Sequence, residues 1–250
     1  GNIIKFNYDK KGRLALKDYP GANETDIIYE YGTIRDLKNK EKLIKVSDES
    51  GTEEYFYDEN GTAVKTIKTI DGNSFTTEYE YDSLGRIFKL TYPRRIAYDE
   101  KIMVKYSYKN YSGLLDKIER VYENGAVSET YMQSINYDEY GRRTDMLYGN
   151  NVNTQYRYNP TTGLLDNCKI LKQGGAVYQN KDYYFDKNGN LNIKFDNTDG
   201  LFNQYRYDDL NRLVTTVYNY ASHPEYNYTS YSSYDETGNI LSKDTESNPL

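Results

Sequence analysis

Seven aspartates recur in one local setting. Asp9, Asp58, Asp82, Asp138, Asp186, Asp208 and Asp235 each follow an aromatic residue and stand three residues before a glycine or an asparagine. A row of carboxylates can serve two chemistries: paired acids hydrolyse a glycosidic bond, and clustered acids hold calcium. The fixed offset argues for a third role. Asp at the first position of a type I turn accepts a backbone N–H two residues on, and Gly or Asn supplies the left-handed residue that ends such a turn. One turn explains every copy, whereas neither chemistry requires a glycine at that distance. A calcium-hand loop is also missing. The nearest approach, Asp186-Lys187-Asn188-Gly189, reaches its glycine too early and has no distal glutamate at the right offset.

The remaining reactive groups are few. His223 is the only histidine and sits in the turn-like Ala221-Ser222-His223-Pro224-Glu225. A triad built on it lacks an identifiable nucleophile and orienting carboxylate, so it reads as a loop residue. With one histidine and one cysteine, a zinc site of the usual kind is excluded. Cys168 cannot form an internal disulfide, and its neighbours Ile170 and Leu171 suggest a small buried group more than a reactive thiol. Gly174-Gly175 lacks the lysine and the strand-to-helix setting of a phosphate loop. No catalytic residue, cofactor or metal is expected. The candidate binding group is Tyr218, Tyr220, Tyr226, Tyr228 and Tyr231, which fall between copies of the repeat. Exposed members could form a stacking platform for a sugar or a peptide; the structural alternative is a cross-strand ladder. The absence of tryptophan weakens the sugar reading.

The elements that position these residues follow from the stretch Tyr79-Glu80-Tyr81-Asp82-Ser83-Leu84-Gly85-Arg86-Ile87. Tyr79 and Tyr81 share one face of a strand, the Asp-to-Gly segment turns the chain, and Ile87 returns to the tyrosine face. The anchor positions of ten such copies are 8, 31, 57, 81, 108, 137, 158, 185, 207 and 234, spaced 21 to 29 residues apart. The copies vary. The second has Gly32 in place of Asp and takes Leu37 as its apolar return. The fifth and seventh carry an extra turn residue, the sixth puts Arg143 where a leucine belongs, and the ninth uses Asn211 for the glycine. Second strands and return turns such as Asp71-Gly72 separate the copies. The period predicts an all-β fold, an antiparallel meander of about twenty short strands forming a curved, spiral or barrel-like sheet, in one domain over residues 1–250.

The motif Tyr-x-Tyr-Asp-x-x-Gly-Arg-[Leu/Ile] at this spacing resembles the YD repeats, also called Rhs repeats. These occur in bacterial Rhs and wall-associated proteins, in the shell component of insecticidal toxin complexes, and in animal teneurins. The resemblance covers nearly the whole chain and implies hairpins wound around a hollow, a shell that encloses a toxin segment or displays a surface for glycans or proteins. It also implies an extracellular or cell-surface location, with any export signal trimmed ahead of Gly1. Small exported YD-repeat proteins are the nearer comparison, because no Asp-Pro-Leu-Gly-rich core-associated segment and no cargo domain is found.

Composition narrows the function further. Of 250 residues, 31 are tyrosine and 37% are hydrophobic, so few aliphatic residues remain for a thick core. The net charge of -6 argues against nucleic acid, which binds through a basic surface. No apolar run is long enough for a transmembrane helix. Strands about 4.8 Å apart would close into a ring near ~30 Å across, too narrow to hold a folded domain. The leading expectation is a non-catalytic, secreted or cell-surface structural or interaction module binding a glycan or protein at the bacterial surface. The alternatives are a fragment of a larger Rhs-type shell that encapsulates a toxin domain, and a glycan-active enzyme. The end segments Gly1 to Asn7 and Leu241 to Leu250 are expected to cap the sheet, or else to pair with another chain.

Overall fold

The computed structural model describes residues 3–20, 26–33, 35, 38–94 and 100–247. These residues form twenty β-strands and one 3-10 turn at Pro224–Tyr226, with no α-helix, as the repeat period predicts. Contacts divide the chain into two compact units, Gly1–Tyr108 with Ile118–Thr130, and Lys109–Lys117 with Tyr131–Leu250. The repeat pattern gives no sign of this division.

In the first unit, β1 (Lys5–Tyr8), β2 (Leu14–Asp18), β3 (Ile27–Tyr31), β4 (Leu43–Asp48), β5 (Gly51–Tyr57), β6 (Ala63–Ile70), β7 (Asn73–Tyr81), β8 (Ile87–Thr91) and β9 (Met103–Tyr108) pair antiparallel, each with the next. Strands β10 (Leu115–Val121) and β11 (Val127–Tyr137) contribute residues to both units. In the second unit the Tyr131–Tyr137 part of β11 pairs with β12 (Arg143–Tyr148). The meander continues through β13 (Val152–Tyr158), β14 (Leu165–Lys172), β15 (Val177–Phe185), β16 (Leu191–Asp196), β17 (Leu201–Tyr207), β18 (Leu213–Tyr220), β19 (Tyr228–Tyr234) and β20 (Ile240–Ser247).

Within each unit, extensive contacts run only between strands adjacent in sequence. Burial is correspondingly thin. Among the described residues the buried apolar side chains are Met103, Val104 and Val121 in one unit and Met132, Ile135 and Met146 in the other. Polar residues share the interior, among them Thr154, Asn203, Thr216 and Ser230. The chain exposes 16848 Å², against about 11,500 Å² for a globular protein of this length. Stability therefore rests on ladder hydrogen bonds and half-buried side chains more than on a dry core.

The hairpin corners show how the sequence specifies the sheet. Gly85 N–H donates to the Asp82 carbonyl at 3.0 Å, closing a turn, and Asp82 N–H then donates to the Arg86 carbonyl at 2.9 Å. Gly85 makes this possible with φ 75°, and Asn211 adopts φ 59° in the same place of its own copy. The register slips by one residue at the tyrosine, so Tyr81 faces Ile87 while Glu80 faces Lys89. The second copy departs from expectation. Tyr31 faces Leu43, not Leu37, and Leu37 lies outside the described residues. Gly32 N–H donates to the Lys42 carbonyl and Glu41 N–H to the Gly32 carbonyl, while Glu41 takes φ 62°. The same corner is thus kept with a longer loop inserted, and Glu41 fills the glycine position.

Where the end segments are described they run in β1 and β20, whose residues are exposed along the whole of each strand. Gly1, Asn2 and Asn248 to Leu250 lie outside the described residues.

Two glycine substitutions separate conformational from steric cost. A Cβ on Gly85 would meet nothing within 4 Å, so only its positive φ opposes replacement. Gly85→Val is expected to cost roughly 1–3 kcal/mol in chemical denaturation. A Cβ on Gly51 would lie 1.8 Å from the Thr69 carbonyl oxygen, so the backbone itself must move. Gly51→Ala is expected to be the more damaging change, and an unaltered urea midpoint in either variant would contradict these corner assignments.

Candidate functional site

The repeated aspartates are engaged by their own turns. Asp82 Oδ1 accepts the N–H groups of Leu84 at 2.9 Å and Arg86 at 3.0 Å, and Oδ2 accepts Arg86 Nε at 2.7 Å. Asp9, Asp138 and Asp208 repeat this with Arg13, Arg142 and Arg212. At Asp186 and Asp235 the side-chain donor is Asn190 or Asn239. Asp58 is capped by the N–H groups of Asn60 and Thr62. The hydrogen bond from the Arg86 side chain, outweighing desolvation, holds the Asp82 carboxyl below its ordinary range. Bonds from the Asn239 and Thr237 side chains take Asp235 down to about 2. At six of these seven corners both carboxylate oxygens accept bonds from the turn itself. Among the described residues no group of three or more His, Cys, Asp or Glu side chains could hold a metal ion.

A second interaction joins eight of the corners to the one before. The tyrosine immediately ahead of the turn donates its hydroxyl to a carbonyl at the start of the preceding copy's return strand. Tyr31, Tyr57, Tyr81 and Tyr108 reach Leu14, Leu43, Ala63 and Ile87 in the first unit. Tyr137, Tyr158, Tyr207 and Tyr234 reach Leu115, Arg143, Leu191 and Leu213 in the second. The eight bonds span 2.6–3.1 Å. Burial pushes the hydroxyls of Tyr57, Tyr81, Tyr108, Tyr137 and Tyr207 up, so they remain neutral donors.

The corner arginine completes the clamp. While bonded to its own Asp, Arg13 lies 4.2 Å over the ring of Tyr31, Arg86 4.1 Å over Tyr108, Arg142 4.3 Å over Tyr158 and Arg212 4.8 Å over Tyr234. Such contacts stabilise by about 0.5–1 kcal/mol at exposed sites. Sequence reasoning missed this role, although its signal was present in the constant Asp-to-Arg offset of four. The eighth copy carries Phe185 at the tyrosine position and has no hydroxyl to donate.

The tyrosine cluster is only partly assembled. Tyr218 and Tyr228 face each other across β18 and β19, with their rings stacked at 4.2 Å. Tyr220 and Tyr226 meet edge to face at 6.5 Å, and His223 lies 5.8 Å from Tyr226. The buried Asn227 closes this loop by accepting the Tyr220 N–H at 2.7 Å. Tyr231, three residues beyond Tyr228 in a regular strand, projects from the opposite face beside Thr215 and Asp244. Tyr226 is 60% exposed and Tyr231 42% exposed, so the two most accessible rings do not share a platform. His223 bonds Glu225 at 3.2 Å within the same exposed turn. Cys168 is half-buried, and burial pushes its thiol up, away from thiolate reactivity.

One open cleft of about 700 Å³ lies at the sixth and seventh corners, bordered by Asp138, Tyr140, Arg142, Tyr158, Pro160 and Gly163. The longer Asn159–Gly163 turn contributes one of its walls. Arg142 spans the cleft floor, bonded to Asp138 and to the Gly163 carbonyl and lying 4.9 Å from the Tyr140 ring.

The geometry defines a class of structure: antiparallel corner repeats, most of them latched to the one before. No protein-family model matches the sequence, and no curated protein matches it. Solved structures do match. The chain superposes on TcdB2-TccC3 with a TM-score of 0.81 and 18% identity, over 99% of its own length and 14% of that chain. The TcdB2-TccC3-Cdc42 crystal structure gives a TM-score of 0.79 at 18% identity, with the same coverage of 99% and 14%. The Photorhabdus luminescens Tc holotoxin pore gives 0.77 at 18% identity, again covering 99% and 14%. These matches bear out the YD-repeat resemblance at the level of fold. The chain spans about a seventh of the length of the chains it matches. No helix is long and apolar enough to cross a membrane among the described residues.

Two measurements test the clamp. Phe185→Tyr supplies the missing hydroxyl and is expected to raise stability by about 0.5–1.5 kcal/mol, whereas Tyr81→Phe should lower it by a similar amount. Equal midpoints for all three proteins would show that the latch contributes nothing. The second is pH. Corner carboxylates with pKa values depressed below the usual 3.8 contribute stability that is fully present above that value. It is lost as pH falls through the folded values, which for Asp235 is about 2. The melting temperature is therefore expected to fall between pH 5 and pH 2, and Asp82→Asn and Asp235→Asn should flatten that fall. A melting temperature constant across this range would overturn the assignment.

Proposed function

We infer that this chain is a non-catalytic wall segment of a larger YD-repeat shell. The observation that carries this reading is the extent of the structural match: 99% of the chain is accounted for by 14% of much longer toxin-complex chains. The corner chemistry supports it, because the Asp and Arg side chains that the corners carry, and eight of the corner tyrosines, are spent on the turn and on neighbouring copies. Thin burial supports it as well, since a single layer of strands encloses space more economically than a two-layer domain. Its partners on this reading are further YD repeats and whatever the complete wall encloses, and its place of action is outside the producing cell. The surface-module reading is less well supported, because the exposed members of the tyrosine cluster point to different faces.

The test is protease protection of the protein expressed from its complete reading frame. That frame is expected to encode further YD corners and a segment that survives limited proteolysis in the whole protein but is digested when produced alone. A frame encoding only these corners, or equal digestion of the segment in both settings, would overturn the shell reading in favour of a surface module.

A further inference from the structure

Tyr218 and Tyr228 stand directly opposite one another on antiparallel neighbours, so both side chains leave the same face of the sheet. Among the described residues they are the only tyrosines that face each other across a strand pair and the only two whose rings stack. The ring centroids are 4.2 Å apart and the planes 20° from parallel. Side chains of equal length leaving opposed positions bring hydroxyl beside hydroxyl. Burial first, and then a side-chain hydrogen bond to Tyr228, push the Tyr218 hydroxyl up. The carbon next to each hydroxyl, Cε, therefore lies against its counterpart on the other ring. The edge-to-face pair Tyr220 and Tyr226, 6.5 Å apart, has no such overlap. The corner repeat does not explain the pair either, because both tyrosines fall between copies and take no part in the latch.

We propose that Tyr218 and Tyr228 are a built-in site for a dityrosine cross-link, formed when hydrogen peroxide acts on the protein through a haem peroxidase. Each phenol gives up one electron and its hydroxyl proton and becomes a phenoxyl radical, with unpaired density on the oxygen and on Cε. A carbon–carbon bond then forms between the two Cε atoms, which approach through the stacked faces. The hydrogen on each joined carbon moves to the oxygen of its own ring and restores the phenol. Two electrons and two protons leave the pair, and one hydrogen peroxide takes them up to become two waters. The product is the same chain less two hydrogen atoms. Both rings are half-buried, which shields the radicals from other chains and leaves the rings room to tilt as the bond forms.

The position gives the link a consequence. The return from β18 to β19 has seven residues, against three or four in the returns from β12, β14 and β16. The bond from the Tyr220 N–H to Asn227 already ties the base of this loop. A Tyr218–Tyr228 bond would close it covalently one step further in and fix the register of β18 on β19 where the connection is longest. The proposal needs only the ring geometry, and it stands whether or not the wall-segment reading does.

The test treats the 250-residue protein with hydrogen peroxide and a haem peroxidase, at a dilution that keeps links between chains rare. Trypsin then leaves residues 213–243 as one piece, and a glutamate-specific protease cuts that piece after Glu225. The two halves are expected to stay joined, lighter by two hydrogens and carrying dityrosine fluorescence, with fragmentation placing the bond on Tyr218 and Tyr228. This pairing should exceed all other tyrosine pairings between the halves by about tenfold, because the fold has already made the encounter. Tyr218→Phe and Tyr228→Phe should each abolish the link, whereas Tyr220→Phe and Tyr226→Phe should retain it. Every one of these variants keeps its ring, so circular dichroism should remain that of the parent. Halves that separate after treatment that oxidises Tyr140, which is 75% exposed, overturn the proposal. So does a link spread over the other tyrosines of the two halves, or one that survives in Tyr218→Phe.

Discussion

The structure depends on a carboxylate that satisfies its own turn. A tight corner leaves backbone N–H groups pointing inward with no strand partner, and such groups are costly when water is partly excluded. Asp82 answers two of them with Oδ1 and orients Arg86 with Oδ2. Once Arg86 is fixed, its guanidinium presents a flat cationic face to Tyr108 of the next copy, whose hydroxyl is bound to Ile87. The consequence reaches two copies from a single side chain. The third, eighth and tenth copies lack the arginine yet keep the carboxylate cap, which marks the turn as primary and the stack as added to it.

Such a chain is quasi one-dimensional. Each strand's large contacts are with its chain neighbours, so cooperativity has to pass from copy to copy through ladder bonds, latches and stacks. A copy with a weak junction is a place where opening can begin. The eighth, with Phe185 in place of the latch tyrosine, is one such place. The polar interior tightens the requirement. Asn203 is only 2% exposed, and its Oδ1 has no protein partner, although its Nδ2 meets the Tyr205 hydroxyl at 3.2 Å. Interiors of this kind derive specificity from hydrogen bonding that an aliphatic core does not require.

The fold was largely legible in the sequence because its period is set by local chemistry. Asp, a left-handed Gly or Asn, and an alternating strand pattern are each short-range signals, and they coincide at seven of the ten corners. The errors came where local chemistry is not unique. Leu37 stands at the usual distance for the return of the second copy, yet Glu41 adopts positive φ and Leu43 takes the role. The site was less legible. Alternation separates Tyr231 from Tyr228 only once the strand register is known, and the loop closed by Asn227 decides where Tyr226 stands. The arginine clamp was hidden for a related reason: its partner lies in another copy, roughly a whole repeat period away in the chain.

The same geometry explains why a row of acids need not mean acid chemistry. A general acid must hold a proton near working pH, and a nucleophile or metal ligand needs an oxygen free to approach its target. Asp235 is held ionised down to about 2 and accepts bonds from Thr237 and Asn239 on both oxygens. Asp182, outside the corners, is bound by Asn167 and Asn197, each at 2.7 Å. At Asp82 and Asp235 the interactions that make the carboxylate a good structural anchor also lower its basicity and occupy both of its oxygens. A sheet built from such corners can therefore be lengthened copy by copy without accumulating reactive groups along its surface.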